Sequence, residues 1–367
     1  MNFLTKICTK FLVKESGVSL RFEDKSIEEL LDMEDDFRQA ISENEGQGYH
    51  RLVNIYEALY RKIESDPDSE YTPSLDKIKK DLILYLVKYG TYLKTEYQKD
   101  DRLAEHTLRQ ALRYDRDNPA AHYRLGFLAY KARNYTGALD HFQKAISKQK
   151  KTQSEVFKLS NQQLYNSHLY LTNSALHFAQ QTQAEIEKLS SLADLGKVPN
   201  LEKSPLYHLI NQNEQYLSSN AFKIITKDSA RPASKEECDL LVDSQTYHHI
   251  VLYFGDRETT ACFNGKEVSL TPNQAEFLYQ FFLKSDSENP LNKEHFRDIL
   301  TNRLTNGEIE DNTYIQNMRR LRQKLNCIEL PLQVIESKRK NNQTGYYYNG
   351  TLPYTIIHRS DDPFFQE

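Results

Sequence analysis

Asp311-Asn312-Thr313-Tyr314-Ile315-Gln316-Asn317-Met318-Arg319-Arg320-Leu321-Arg322-Gln323-Lys324-Leu325-Asn326 is the stretch on which the fold of the C-terminal third turns. Asp311 or Asn312 can cap a helix here, because a short polar side chain accepts from the first free N–H groups. Wound at 3.6 residues per turn, the segment divides into two faces. Ile315, Met318, Leu321 or Arg322, and Leu325 share one side and are expected to be buried, while Thr313, Gln316, Asn317, Arg320 and Lys324 fall on the other. Arginine can pair bidentately with guanine, and asparagine or glutamine with adenine, each worth roughly 1–3 kcal/mol of discrimination. The polar face therefore suits the DNA major groove, and Arg319 and Gln323 adjoin it.

Downstream, Gln333 to Ser337 and Gly345 to Asn349 read as two strands flanking Lys338-Arg339-Lys340-Asn341-Asn342-Gln343-Thr344, a hairpin with a basic tip. Between Asn312 and Asn342 seven basic residues stand against two acidic ones, a local net charge of +5 in a chain whose formal charge is -4. A charged helix face alone usually signifies solvation. Joined to a cationic hairpin carrying Lys338, Arg339 and Lys340, it suits contact with the phosphate backbone.

Upstream the period changes to 2. Ile250 to Phe254, Thr259 to Phe263 and Glu267 to Leu270 are short β-rich runs, and Asn264-Gly265 is a strong hairpin signal. Thr271 then caps a helix with Pro272 in its first turn and Phe277, Leu278, Phe281 and Phe282 as its apolar stripe. Asn289-Pro290-Leu291 breaks the chain, and Lys293 to Leu300 reads as a second short helix.

Gly265 to Thr271, Glu276-Phe277-Leu278, Met318 to Leu325 and Thr344-Gly345-Tyr346-Tyr347-Tyr348, in this order, resemble the output domain of OmpR/PhoB-type response regulators over about 100 of the 367 residues. That resemblance implies an N-terminal sheet, a recognition helix at Met318 to Leu325, and a wing ending in glycine-tyrosine. The strand-helix alternation of a receiver domain with its phosphoacceptor aspartate is not found in the N-terminal half, so phosphorelay control is not expected.

The first 200 residues read as successive helices, among them Ile27 to Ile41, Leu52 to Ile63 and Leu75 to Tyr97. Ala104, Leu108 and Ala111 recur as Ala138, Phe142 and Ala145, each displaced by 34 residues. Asn118 to Gly126 with Tyr135 to Ile146 closely resembles a tetratricopeptide repeat: Gly126 and Ala138 permit close helix approach and Phe142 plugs the gap. The preceding unit matches only in part, since Gly90 lies two residues before the expected position. About three such units are needed to bury their faces, so neighbouring helices are expected to complete the stack. In that family the first helix of each pair lines a groove, which places Tyr123, Phe127, Tyr130 and Lys131 there, with Tyr89 and Tyr97 from the neighbour. Aromatic rings and a cation can hold an extended peptide or a partner's helix. The plainer alternative is packing against adjoining helices or dimerisation.

The expected architecture is multidomain, an all-α tetratricopeptide-like repeat followed by an α+β winged helix-turn-helix. Residues 1–225 are assigned to the repeats, 226–246 to a polar linker containing Pro232, and 247–358 to the winged helix. No apolar stretch approaches the roughly 20 residues of a membrane span, and the N-terminus lacks the features of a signal peptide. Cys8, Cys238, Cys262 and Cys327 show no metal-site spacing, and no catalytic or nucleotide-binding motif is found. We therefore expect a cytoplasmic, non-enzymatic transcriptional regulator without cofactor or metal. Its expected partners are double-stranded DNA, a peptide or protein in the repeat groove, the transcription machinery including RNA polymerase, and a second copy of itself. The rival expectation is an adaptor that binds only proteins. The acidic runs Glu34-Asp35-Asp36 and Asp100-Asp101 read as solvated.

Overall fold

The computed structural model describes residues 22–41, 45–93, 100–152, 154–192, 203–244, 247–255, 258–297, 311–340 and 343–362. The N-terminal half is helical and the C-terminal half is built on a mixed sheet.

Helices α1 (Ile27–Ile41), α2 (Glu45–Ser65), α3 (Leu75–Leu93), α4 (Asp101–Tyr114), α5 (Pro119–Lys131), α6 (Tyr135–Gln149) and α7 (Asn161–Leu192) each pack on the next. Polar caps set where three of them begin: Asp100, Asn118 and Asn134 accept from the backbone N–H of Leu103, Ala121 and Gly137 at 3.0, 2.9 and 3.0 Å. Gly126 brings α5 against α6 so closely that a Cβ there would stand 2.9 Å from the Phe142 ring. Gly90 meets Leu108, the residue 34 before Phe142, in the same manner, its would-be Cβ lying 2.7 Å from Leu108 Cγ. The two-residue offset of Gly90 thus leaves the close contact intact. Leu52, Ile55, Tyr56 and Leu59 of α2 and Leu82 and Leu86 of α3 fill the core beneath. Glu34 is buried, not solvated, and accepts a hydrogen bond from the Tyr56 hydroxyl. Helix α8 (His208–Ser219) lies along α7, with Asn213 Nδ2 donating to Asn173 Oδ1 at 2.7 Å.

Two residues, Asn220 and Ala221, join α8 to the sheet. Its strands are β1 (Phe222–Ile225), β2 (Ala230–Ala233), β3 (Ile250–Phe254), β4 (Thr259–Phe263), β5 (Lys266–Leu270) and β8 (Tyr354–Arg359), in the order β2-β1-β8-β3-β4-β5. β8 runs parallel to β3 and antiparallel to β1. Asn264 and Gly265, both at positive φ, turn β4 into β5. Period-2 alternation sends Ile250, Leu252, Ala261, Phe263 and Ile356 to one face, under α10 (Pro272–Lys284) and α11 (Asp311–Cys327). Phe222, Ile224, Val251, Cys262 and Ile357 go to the other, with Cys238 of α9 (Lys235–Asp243) among them. β6 (Ile335–Lys340) and β7 (Gln343–Tyr348) form a separate antiparallel hairpin.

Two expected boundaries are corrected. Residues 226–246 are not a linker: they hold β2 and α9, and Pro232 sits in an edge strand, where its missing N–H costs no ladder bond. β1, within the 1–225 assigned to the helical half, belongs to the sheet, so the C-terminal unit begins at Phe222 instead of 247. At its other end the sheet runs through Arg359, one residue beyond 358. No helix among the described residues is long and apolar enough to cross a membrane.

Candidate nucleic-acid interface

Helix α10 supplies the floor of the site. Thr271 and Gln274 form a capping box at its start, and Phe277 and Phe281 project into the core to meet Phe296 at ring distances of 4.5 and 5.5 Å. Against this floor α11 buries Tyr314, Met318, Leu321 and Leu325. Ile315, expected inside, is 42% exposed. Tyr314 takes the inward position because its hydroxyl finds a partner there, donating to the Leu291 carbonyl at 2.7 Å. Burial pushes the Tyr314 phenol far above its ordinary pKa, so it remains a donor. Leu291 in turn exchanges two backbone hydrogen bonds of 2.8 Å with Tyr346 of β7. One residue thereby ties α11 to the hairpin. Gly345 is required at this junction, since a Cβ there would lie 2.9 Å from Pro290 Cβ.

The hairpin is longer than expected. Lys338 and Arg339 lie in the paired strand β6 and not in its tip, and Lys340 ends that strand. Lys338 Nζ donates to the Ser287 carbonyl at 2.8 Å, and Arg339 is exposed. On α11, Gln316, Arg319, Arg320, Gln323 and Lys324 are exposed, and Asn317 is half-buried. The side chains of Thr313 and Lys340 lie outside the described residues, as do positions 298–310, which include the end of the expected second helix; Lys293–Phe296 forms a 3-10 turn.

Arg322 departs from its cationic neighbours by turning inward. Its guanidinium donates to the Ile335 carbonyl and lies 4.9 Å from the Tyr346 ring centroid, bracing the hairpin from beneath. The two acidic residues of the region are engaged elsewhere: Glu329 pairs with Lys266 and Glu336 accepts from the Tyr347 hydroxyl. No ion pair among the described residues includes Arg319, Arg320, Lys324 or Arg339. An outward cationic surface spanning one helix and one strand remains.

The groove expected in the helical half is corrected, because the chain itself covers it. Tyr123 is buried and its hydroxyl donates to Asp361 Oδ2 at 3.2 Å. Phe127 packs edge-on to Tyr170 of α7 at 5.8 Å, and Tyr130 donates to Glu214 of α8 at 2.7 Å. Lys131 is ion-paired with Asp101 at 2.8 Å. Tyr89 packs against His50, with burial raising its pKa, and Tyr97 lies outside the described residues. Around Tyr123, Phe127 and Tyr130 the side chains filling this space come from α7, α8 and the segment after β8.

Sequence reading missed Arg124, Gln163 and Asp361. A charge at position 124, inside the apolar run Ala120 to Leu128, was the available signal, since a cation in a buried helix face needs an anion. Its partner lies 237 residues away.

Comparison with family models, with curated proteins and with solved structures returns no match for this chain.

Proposed function

We propose that this chain is a transcriptional regulator that docks on promoter DNA through α11 and the β6–β7 hairpin, acting as recognition helix and wing of an OmpR/PhoB-type domain. The observation that carries the reading is the outward row Gln316, Arg319, Arg320, Gln323 and Lys324, exposed on a helix whose opposite side is anchored in the core. A helix of 17 residues is about 25 Å long and can lie in a major groove about 12 Å wide, its amide and guanidinium groups facing base edges. Arg339 on the hairpin then reaches phosphates or the minor groove. The helical half, a tetratricopeptide-like stack, is the module that senses a protein or peptide partner or brings two copies together. Such a regulator would act in the cytoplasm.

Anisotropy of a labelled duplex measured against salt tests this. With Arg320 turned to a base, the outward cations left for phosphate, Arg319, Lys324 and Arg339, give a slope of log affinity against log salt of about -2.7, and Lys324→Ala with Arg339→Ala reduces its magnitude by about two. A duplex affinity that is independent of salt and of these residues overturns the reading and leaves the protein-binding adaptor.

A further inference from the structure

Three side chains of the helical half converge on one residue of the C-terminal tail. Arg124 Nη1 and the Tyr123 hydroxyl donate to Asp361 Oδ2 at 2.9 and 3.2 Å. Arg124 Nη2 and Gln163 Nε2 donate to the Asp361 backbone carbonyl at 3.1 and 2.8 Å. The three donor residues, on α5 and α7, are 5%, 2% and 3% exposed for Arg124, Tyr123 and Gln163. A site that grips a carboxylate together with the main-chain carbonyl of the same residue recognises an aspartyl residue in a peptide, and not a free anion.

We infer that this pocket is a receptor for aspartyl peptide, occupied here by the chain's own tail, and that an acidic peptide segment of a partner protein is its exchangeable ligand. Asp361 follows β8, the strand that joins the β3–β5 meander to β1, and Arg359 at the end of β8 holds the remaining oxygen, Oδ1, at 3.1 Å. The carboxylate therefore bridges a cation from each half. Withdrawal of the tail leaves Arg124 unpaired against the Tyr123 ring, 5.1 Å away, a state that another carboxylate relieves. Exchange of one aspartate for another would detach the tail from the helical half. The inference deepens the sensor role proposed above and rests on it for its regulatory meaning; the binding is tested without DNA.

The tethered tail competes at an effective concentration on the order of millimolar, so an external ligand binds weakly until the tail is disabled. A fluorescein-labelled peptide spanning residues 357–362 is titrated by anisotropy into the full chain, wild type and Asp361→Ala. The expected result is at least tenfold tighter binding to Asp361→Ala, lost when Arg124→Met is added and when the peptide carries asparagine in place of its first aspartate. Equal binding to all, or none to a folded Asp361→Ala protein, overturns the inference. Should Asp361→Ala not fold, hydrogen exchange of the unaltered chain decides. Excess peptide must then accelerate exchange of the Ser360 amide, which donates to the Ala221 carbonyl at 3.0 Å, and unchanged protection overturns the inference equally.

Discussion

Arg124 on α5 and Asp361 beyond β8 form an ion pair at 2.9 Å, with side chains only 6% and 12% exposed, which joins the helical half to the sheet. Removing two charges from water is costly, and the attraction repays it only where the remaining hydrogen-bonding capacity is also satisfied, as Tyr123 and Gln163 satisfy it here by donating to the oxygens of Asp361. Losing one partner is worse than losing both. Arg124→Met is expected to destabilise the protein by about 3 kcal/mol, and combining it with Asp361→Asn to cost clearly less than the sum of the single changes. A denaturant double-mutant cycle reads this coupling, and additive losses would refute it.

Arg320 and Arg322 are two residues apart and have opposite fates. Arg320→Ala touches nothing that holds the fold and should change stability by under about 0.5 kcal/mol. Arg322→Ala removes the donor to Ile335 and the stack on Tyr346, for a loss of about 1–3 kcal/mol visible in thermal melts. If the two variants melt alike, the assignment of inward and outward faces on α11 is wrong.

His122 and His141 face each other across α5 and α6 with Nδ1 atoms 3.1 Å apart, while His122 Nε2 lies 3.2 Å from the Arg116 carbonyl. Burial lowers both pKa values, that of His141 to about 4, helped by its nearness to His122 and Arg109. Folding thus favours the neutral rings. Their contribution is complete above about pH 6.5 and is lost as pH falls toward 4, on the order of 2 kcal/mol for His141. Urea midpoints across this window should show the decline, and His141→Leu should flatten it. An undiminished slope in that variant would place the acid sensitivity elsewhere.

Gly126 has no room for a side chain beside Phe142. Gly126→Val is expected to cost about 3 kcal/mol through overpacking, despite the poor helix propensity of glycine. Phe142→Leu, by vacating part of the ring's space, should restore some of that loss. Strict additivity of the two changes would show that their contact is not the cause.

Much of the C-terminal unit is legible from local pattern. Alternation marks β3 to β5, Asn264-Gly265 marks their turn, and Thr271-Pro272 marks the start of α10, because each signal lies within a few residues of the structure it specifies. The pieces that escape are settled at long range. β8 enters the sheet beside β3, about 100 residues earlier, and the Ala230–Ala233 strand carries arginine and proline that an edge position tolerates. The cationic face of α11 was readable from periodicity, yet whether Tyr314 or Ile315 turned inward depended on a carbonyl, that of Leu291, supplied 23 residues away. Tyr123, Phe127 and Tyr130 share α5 as their spacing implies, but that α7, α8 and the segment after β8 would cover them was invisible from that spacing.

Selection of duplexes from a random-sequence pool by the full chain tests the central claim most directly. Wild-type protein should enrich a defined motif within a few rounds, and Arg320→Ala should relax it at one base position by roughly 1–3 kcal/mol while the protein stays folded. Recovery of the unselected base composition by a well-folded wild-type chain would contradict the assignment of α11 as a DNA-reading helix.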